Sequence, residues 1–145
     1  MKGRKLLMIP GPIEFEPDVL QAMSIATNSH VAPDFIEIFG KSLELMRAVW
    51  KSPKGQPFII SGTGTLAMDM AAANLIELGD RVLVISTGYF GKRFKDILDR
   101  YGANTTILEA PIGEVVSLDA IEKELKQGQY KFLTITHVDT STGIL

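Results

Sequence analysis

The sequence contains no cysteine. That excludes a disulfide framework, a cysteine-ligated zinc site, a thiolate nucleophile and an iron–sulfur cluster. It also lacks a basic excess: 15 Lys+Arg stand against 17 Asp+Glu, a formal net charge of −2, which argues against a nucleic-acid partner. No apolar run reaches the ~20 residues of a membrane span. The start, MKGRKLLMIPGPIEFEP, is basic, but its apolar run at residues 6–9 is too short for a signal peptide and Pro10 ends it. No internal repeat or low-complexity tract is present, so a solenoid is excluded. What is present is the balance of a soluble globular protein, 46% hydrophobic and 22% charged residues. The expectation is a cytoplasmic enzyme or binding protein, and a length of 145 residues by itself suggests one domain with a sizeable core.

Residues 1–16 read as irregular, punctuated by Pro10, Gly11, Pro12 and then Pro17. A short helix is expected over 17–26, with Pro17 in its first turn. A longer one is expected over 33–51, because Phe35, Phe39, Leu43, Met46 and Trp50 fall on one face. SPKGQP at 52–57 breaks it. From 57 to 138 the pattern reads β-α-β-α-β-α-β, with strands at 58–60, 81–86, 104–110 and 131–138. Such alternation indicates an α/β fold with a mostly parallel sheet. The expected organisation is an N-terminal arm and helices over 1–51, then a sheet domain over 52–145.

In open α/β sheets, ligands bind outside the carboxyl ends of the strands. Three loops there are rich in glycine and hydroxyls: Ser61-Gly62-Thr63-Gly64-Thr65, Ser86-Thr87-Gly88-Tyr89-Phe90-Gly91 and Asp139-Thr140-Ser141-Thr142-Gly143. APIGEVVS, after the third strand, reads only as a connection. The first loop precedes a helix, whose unpaired N–H groups and positive dipole end bind phosphate. It reads equally as a capped turn without a ligand. A P-loop needs GxxxxGK[ST], and no lysine stands in this loop or the helix after it. Gly62-x-Gly64-x-x-Ala67 does match a dinucleotide fingerprint, which requires an acid at the end of the next strand. That strand ends in Ser86-Thr87, and Glu77 and Asp80 fall before it, at the wrong edge. A cofactor with one phosphate therefore fits better. Phe90 reads either as a ring that stacks on a planar cofactor or as the first core residue of its helix. Ser141 and Thr142 offer hydroxyls to polar atoms of such a ring.

The stretches PGPIEFEPDVLQAM, SGTGTLAMDMAAANL, DRVLVISTGYFGKRF and HVDTSTGIL, in this order, cover almost the entire chain. Together they resemble the N-terminal part of a class V (fold-type I) pyridoxal-phosphate aminotransferase, of the alanine–glyoxylate, serine–glyoxylate and serine–pyruvate group. The resemblance implies a three-layer α/β/α large domain, incomplete here, with pyridoxal 5'-phosphate as cofactor. It implies phosphate binding by Thr63, Gly64 and Thr65, and ring stacking by Phe90, where many relatives carry tryptophan. It puts the hydroxyl of Ser141 or Thr142, with Ser141 preferred, beside the ring, and Gly11 near the substrate carboxylate. Relatives often carry histidine at the position of Thr65.

The implied reaction moves an amino group from alanine or serine to glyoxylate or pyruvate by a ping-pong Schiff-base mechanism, in a homodimer. The cofactor supplies the electron sink, and the protein supplies orientation and electrostatics. No catalytic residue matches within the segment: the Schiff-base lysine, the ring-nitrogen aspartate and the carboxylate-binding arginine are expected after Leu145. On this reading the 145 residues are an incomplete large domain and inactive alone. A nucleotide-binding module of a dehydrogenase is the alternative, and a non-catalytic dimerisation unit is a third reading. Lys92 reads as a solvated lysine in a first helical turn, Asp139 as ordering its own loop, and His137 as a satisfied buried histidine at a strand end. His30 reads as loop packing or as a residue near the active site, and Trp50 with Phe35 and Phe39 as core or subunit interface. No metal site is expected.

Overall fold

The structure is a computed structural model that describes residues 5–9 and 11–145. Met1–Arg4 and Pro10 lie outside the described residues, and with them the expectation that Pro10 ends the first apolar run. The chain forms two compact units. One is Glu14–Ser61; the other joins the N-terminal segment ending at Ile13 to Gly62–Leu145. Residues 52–61, grouped with the sheet on sequence, thus cluster with the helical unit.

The helical unit holds α1 (Pro17–Met23) and α2 (Pro33–Val49), each with a proline in its first turn. There the fixed φ suits a helix and the missing N–H costs no bond. Phe35 and Phe39 lie one turn apart on α2 and stack at 5.8 Å between ring centroids. Neither helix buries a residue fully, and Trp50 is exposed.

The other unit runs α3 (Gly64–Leu75), β1 (Arg81–Ser86), α4 (Tyr89–Arg100), β2 (Asn104–Glu109), α5 (Leu118–Gln127) and β3 (Phe132–Ile135). The three strands form one parallel sheet in the order β2-β1-β3, so the fold is α/β as expected. Val82 pairs with Thr105 on one side and Phe132 on the other. β1 is central, and RVLVIS is buried from Val82 to Ser86. Unbroken apolar character is what a parallel strand covered on both faces requires. Val82 and Val84 point to the face where Ala72 of α3 and Ile97 and Leu98 of α4 close the core, with Phe94 and Met68 packed against it. Helix α4 ends at Gly102, where φ is +87° and a side chain would also meet Leu78. Ser117 caps α5 by accepting from the Ala120 N–H at 3.2 Å.

Two expectations for the strands need correction. Residues 58–60 are not a strand: no described residue pairs with them, and Phe58, Ile59 and Ile60 are exposed. Three apolar residues become a strand only where a neighbour supplies ladder bonds. β3 also stops at Ile135, so His137 is exposed rather than a buried strand end.

At the sheet's other edge, Asp80 Oδ2 accepts from the Glu77 N–H and from Lys131 Nζ, both at 2.6 Å. The Lys131 ammonium, then the Glu77 amide, holds its carboxyl below the usual range. The acid nearest the dinucleotide spacing is therefore a structural tie between β1 and β3, away from the ligand loops.

Candidate active site

Helices α3 and α4 both open onto one cleft of about 440 Å3 in the sheet unit. Thr63, Gly64 and Thr65 line it from the start of α3, and Phe90 from the start of α4. Gly11 lines it from the N-terminal segment, and Thr136, Val138 and Thr140 from the chain after β3. Four parts of the sequence, including all three glycine- and hydroxyl-rich loops, thus meet in one concavity of ordinary ligand size.

The start of α3 is incompletely satisfied. Thr63 is its N-cap, and the threonine Oγ1 accepts from the Leu66 N–H at 3.1 Å. The cap uses an oxygen lone pair, so the hydroxyl proton remains free to donate. The Gly64 and Thr65 N–H groups have no acceptor among the described residues, as expected for the first turn of a helix. Nothing lies within 4 Å of where a Gly64 side chain would begin. Two unpaired amides, a hydroxyl donor and a positive dipole end therefore face open space, an arrangement that favours an anion.

The start of α4 is built the opposite way. Its N-cap is Gly88, which has no side chain to cap with. Distant residues supply the caps instead. Asp139 Oδ2 accepts from the Phe90 and Gly91 N–H groups at 2.9 and 3.0 Å, and Ser141 Oγ accepts from the Tyr89 N–H at 2.8 Å. Asp139 Oδ1 accepts from the Ser141 hydroxyl at 2.7 Å and from the Ser141 N–H at 3.1 Å. Asp139 is fully buried. Burial pushes its carboxyl up, but hydrogen bonds from Ser141, Gly91 and Phe90 together outweigh it and hold the carboxyl below the usual range. Asp139 does order its own loop, and it also reaches α4.

Glycine is required twice here by close approach. A side chain on Gly88 would begin 2.5 Å from Ser141 Oγ and 2.7 Å from the Asp139 carboxyl carbon. One on Gly91 would begin 2.8 Å from the Ser86 Cα, where α4 rests on the end of β1.

The hydroxyls of the third loop are placed differently from the expectation. Ser141 and Thr142 line a second cleft of about 550 Å3, with Tyr89, Lys92 and Glu109. The single Ser141 proton is donated to Asp139, so none remains for a cofactor oxygen. The loop residue facing the first cleft is Thr140, whose hydroxyl has no partner among the described residues. Sequence reasoning missed Thr140 because alternation along a tight turn, rather than residue type, decides which hydroxyl turns inward. It also missed Thr136, whose Oγ1 is buried without a hydrogen-bond partner among the described residues.

The other candidates separate cleanly. Phe90 lines the cleft and is outside the core cluster, whereas Phe94 packs against that cluster. Lys92 lines the second cleft and pairs with Glu109 at 2.9 Å. Ala110, Pro111 and Ile112 line that cleft as well. No lysine, arginine or acid lines the first cleft among the described residues. Among those residues there is also no cluster of metal-ligating side chains, and no helix is long and apolar enough to cross a membrane.

No protein-family model matches the chain. It is 43% identical to alanine–glyoxylate aminotransferase 1 of Saccharomyces cerevisiae over 99% of its own length and 39% of that protein's. It is 33% identical to the (S)-ureidoglycine–glyoxylate transaminase of Bacillus subtilis, over 96% of this chain and 33% of the relative. Among solved structures, the alanine–glyoxylate aminotransferase of Nostoc sp. superposes with a TM-score of 0.87 at 40% identity, over 95% of this chain and 37% of that one. The aspartate aminotransferase of Thermus thermophilus gives 0.85 at 32% identity, over 96% and 38%. The chain thus spans between a third and two fifths of the length of these relatives. By sequence and by fold, the chain is similar to a part of these aminotransferases.

Proposed function

We infer that the complete polypeptide is a pyridoxal-phosphate aminotransferase and that this chain carries the phosphate and ring contacts of its cofactor site. The first cleft supports this reading. Among the described residues it has two unpaired N–H groups at the start of α3, an aromatic ring in its lining, and the unpartnered hydroxyls of Thr136 and Thr140. A phosphorylated, planar, oxygen-bearing ring meets all of these demands. The alternative of a dehydrogenase nucleotide module is not favoured, because the named relatives are aminotransferases and β1 ends without an acid.

Gly64 and Thr65 would hold the phosphate through their N–H groups, with the Thr63 and Thr65 hydroxyls as further donors. Phe90 would stack on the ring and fix its plane. Thr140 and Thr136 would donate to ring oxygens, in place of Ser141 and Thr142. Gly11 would leave room for the substrate carboxylate. When bound, the cofactor withdraws electrons from the amino acid and carries the amino group between half-reactions. The chain's own residues bind it, orient it and exclude water from one side.

The names of the relatives narrow the substrates. The yeast, Bacillus and Paracoccus denitrificans proteins share glyoxylate, while the amino partner is alanine, ureidoglycine or aspartate. Glyoxylate is therefore the proposed acceptor, ahead of pyruvate, with alanine or serine as donor. We propose a homodimer in the cytoplasm. The test is to add pyridoxal phosphate to the complete polypeptide and record its spectrum. A visible band abolished by borohydride, together with glyoxylate-dependent loss of alanine, is expected. Absence of the band would overturn the assignment.

A further inference from the structure

We propose that Asp139 is a positioning residue that holds the ring-stacking Phe90 and the cleft-lining Thr140 as one rigid piece. The proposal rests on the cofactor reading of the first cleft. Its observations are independent of that reading.

The first three N–H groups of α4 would otherwise be unsatisfied. Tyr89, Phe90 and Gly91 donate all three to Ser141 and Asp139, residues 48 to 52 positions further along the chain. The next N–H, of Lys92, already bonds within the helix to the Gly88 carbonyl at 3.4 Å. The side chain of Asp139 accepts four hydrogen bonds, two on each oxygen, so each oxygen's two lone pairs are used. Its backbone carbonyl accepts from the Gly143 N–H at 2.8 Å and so closes the loop in which Thr140 sits. Its side chain therefore fixes where the Phe90 backbone begins, and its main chain fixes where Thr140 turns. Those two residues face the same cleft.

A carboxylate suits this task better than an amide. Bonds to a charged acceptor are roughly twice as strong as neutral ones, and the α4 dipole favours negative charge at this end. Gly88 lets the carboxylate come this close. The consequence is that Asp139 orients the cofactor through Phe90 and Thr140 without touching it.

The experiment compares Asp139→Asn, Ser141→Ala and Leu98→Ala in the complete polypeptide. The asparagine keeps the shape but presents an NH2 group to either Ser141 or the two α4 amides. Ser141→Ala removes only the Tyr89 cap and one donor to Asp139, so it stays folded if Asp139→Asn does not. Leu98→Ala destabilises the same unit from its core, away from the cleft. Cofactor affinity, the visible circular dichroism per bound cofactor and amide exchange at Phe90 and Gly91 are read at one temperature below all unfolding midpoints.

Asp139→Asn is expected to weaken cofactor binding about tenfold, change the dichroic band and speed exchange at both amides. Ser141→Ala should follow with about threefold weaker binding. Leu98→Ala should lower the midpoint and leave affinity and band intact. A wild-type band and affinity unchanged in Asp139→Asn and Ser141→Ala would overturn the positioning role alone. A wild type that forms no cofactor band would overturn the cofactor reading and this role with it.

Discussion

Helices α3 and α4 open onto the same cleft, yet α4 begins with every free amide bound by protein and α3 begins with two amides that no described residue binds. The physics is common to both. A helix start carries unsatisfied N–H groups and a partial positive charge, and something must answer them. At α4 the answer is an internal carboxylate, which makes that helix start part of the scaffold. At α3 a single threonine answers one amide, which leaves a site for an external anion. A glycine-rich helix start is thus not evidence for a ligand until the fate of its N–H groups is known.

This contrast can be broken or sharpened by substitution, and the largest effect is expected on the scaffold side. Gly91→Val drives a side chain into the backbone of Ser86, and overpacking of that kind costs about 3 kcal/mol. Urea unfolding should show the loss even without cofactor. Gly64→Val, at the first residue of α3, meets open space. It should leave the unfolding midpoint nearly unchanged while weakening cofactor binding about thirtyfold, roughly 2 kcal/mol. Equal cofactor retention in that variant would remove phosphate from the α3 start.

Phe90→Ala should weaken the cofactor about tenfold with little change in stability, since the ring lies outside the core. A large stability loss with unchanged affinity would return Phe90 to a packing role. Thr63→Ala removes a helix cap, worth about 1 kcal/mol, and should lower both stability and affinity modestly.

The last effect is read by pH. Asp139 is held below the ordinary carboxylate value of about 3.9 by its hydrogen bonds. Its contribution to stability is then complete above that value and is lost as pH falls through the folded-state value. Wild type should exceed Asp139→Asn in stability at neutral pH, and the gap should close on acidification. A gap constant from neutral to acid pH would show that the charge of Asp139 contributes nothing.

Much of the fold was legible in local pattern. The helix starts at Pro17 and Pro33 and the strand RVLVIS follow from signals that act within a turn or a few residues. The strand at 58–60 and the full length of 131–138 were misread for one shared reason. Apolar composition marks a segment that can pair, and pairing itself depends on a neighbour far along the chain.

The candidate site divides in the same way. The residue types that face the cleft from α3 and α4, Thr63, Gly64, Thr65 and Phe90, were evident because helix-start chemistry is local. The third loop was not, since DTSTG offers several hydroxyls of equal chemical merit. Their fates depend on which amides of α4 stand within reach once β3 lies beside β1.

Sequence alone therefore determined the α/β order, the helix starts and the resemblance to an aminotransferase N-terminal portion. Only the tertiary structure decided that Asp139 and Ser141 are consumed in capping α4 while Thr140 and the first two α3 amides have no partner among the described residues. Helix propensity and capping by neighbours are contained in a few consecutive residues. A hydrogen bond across some fifty residues exists only when the sheet brings its partners together.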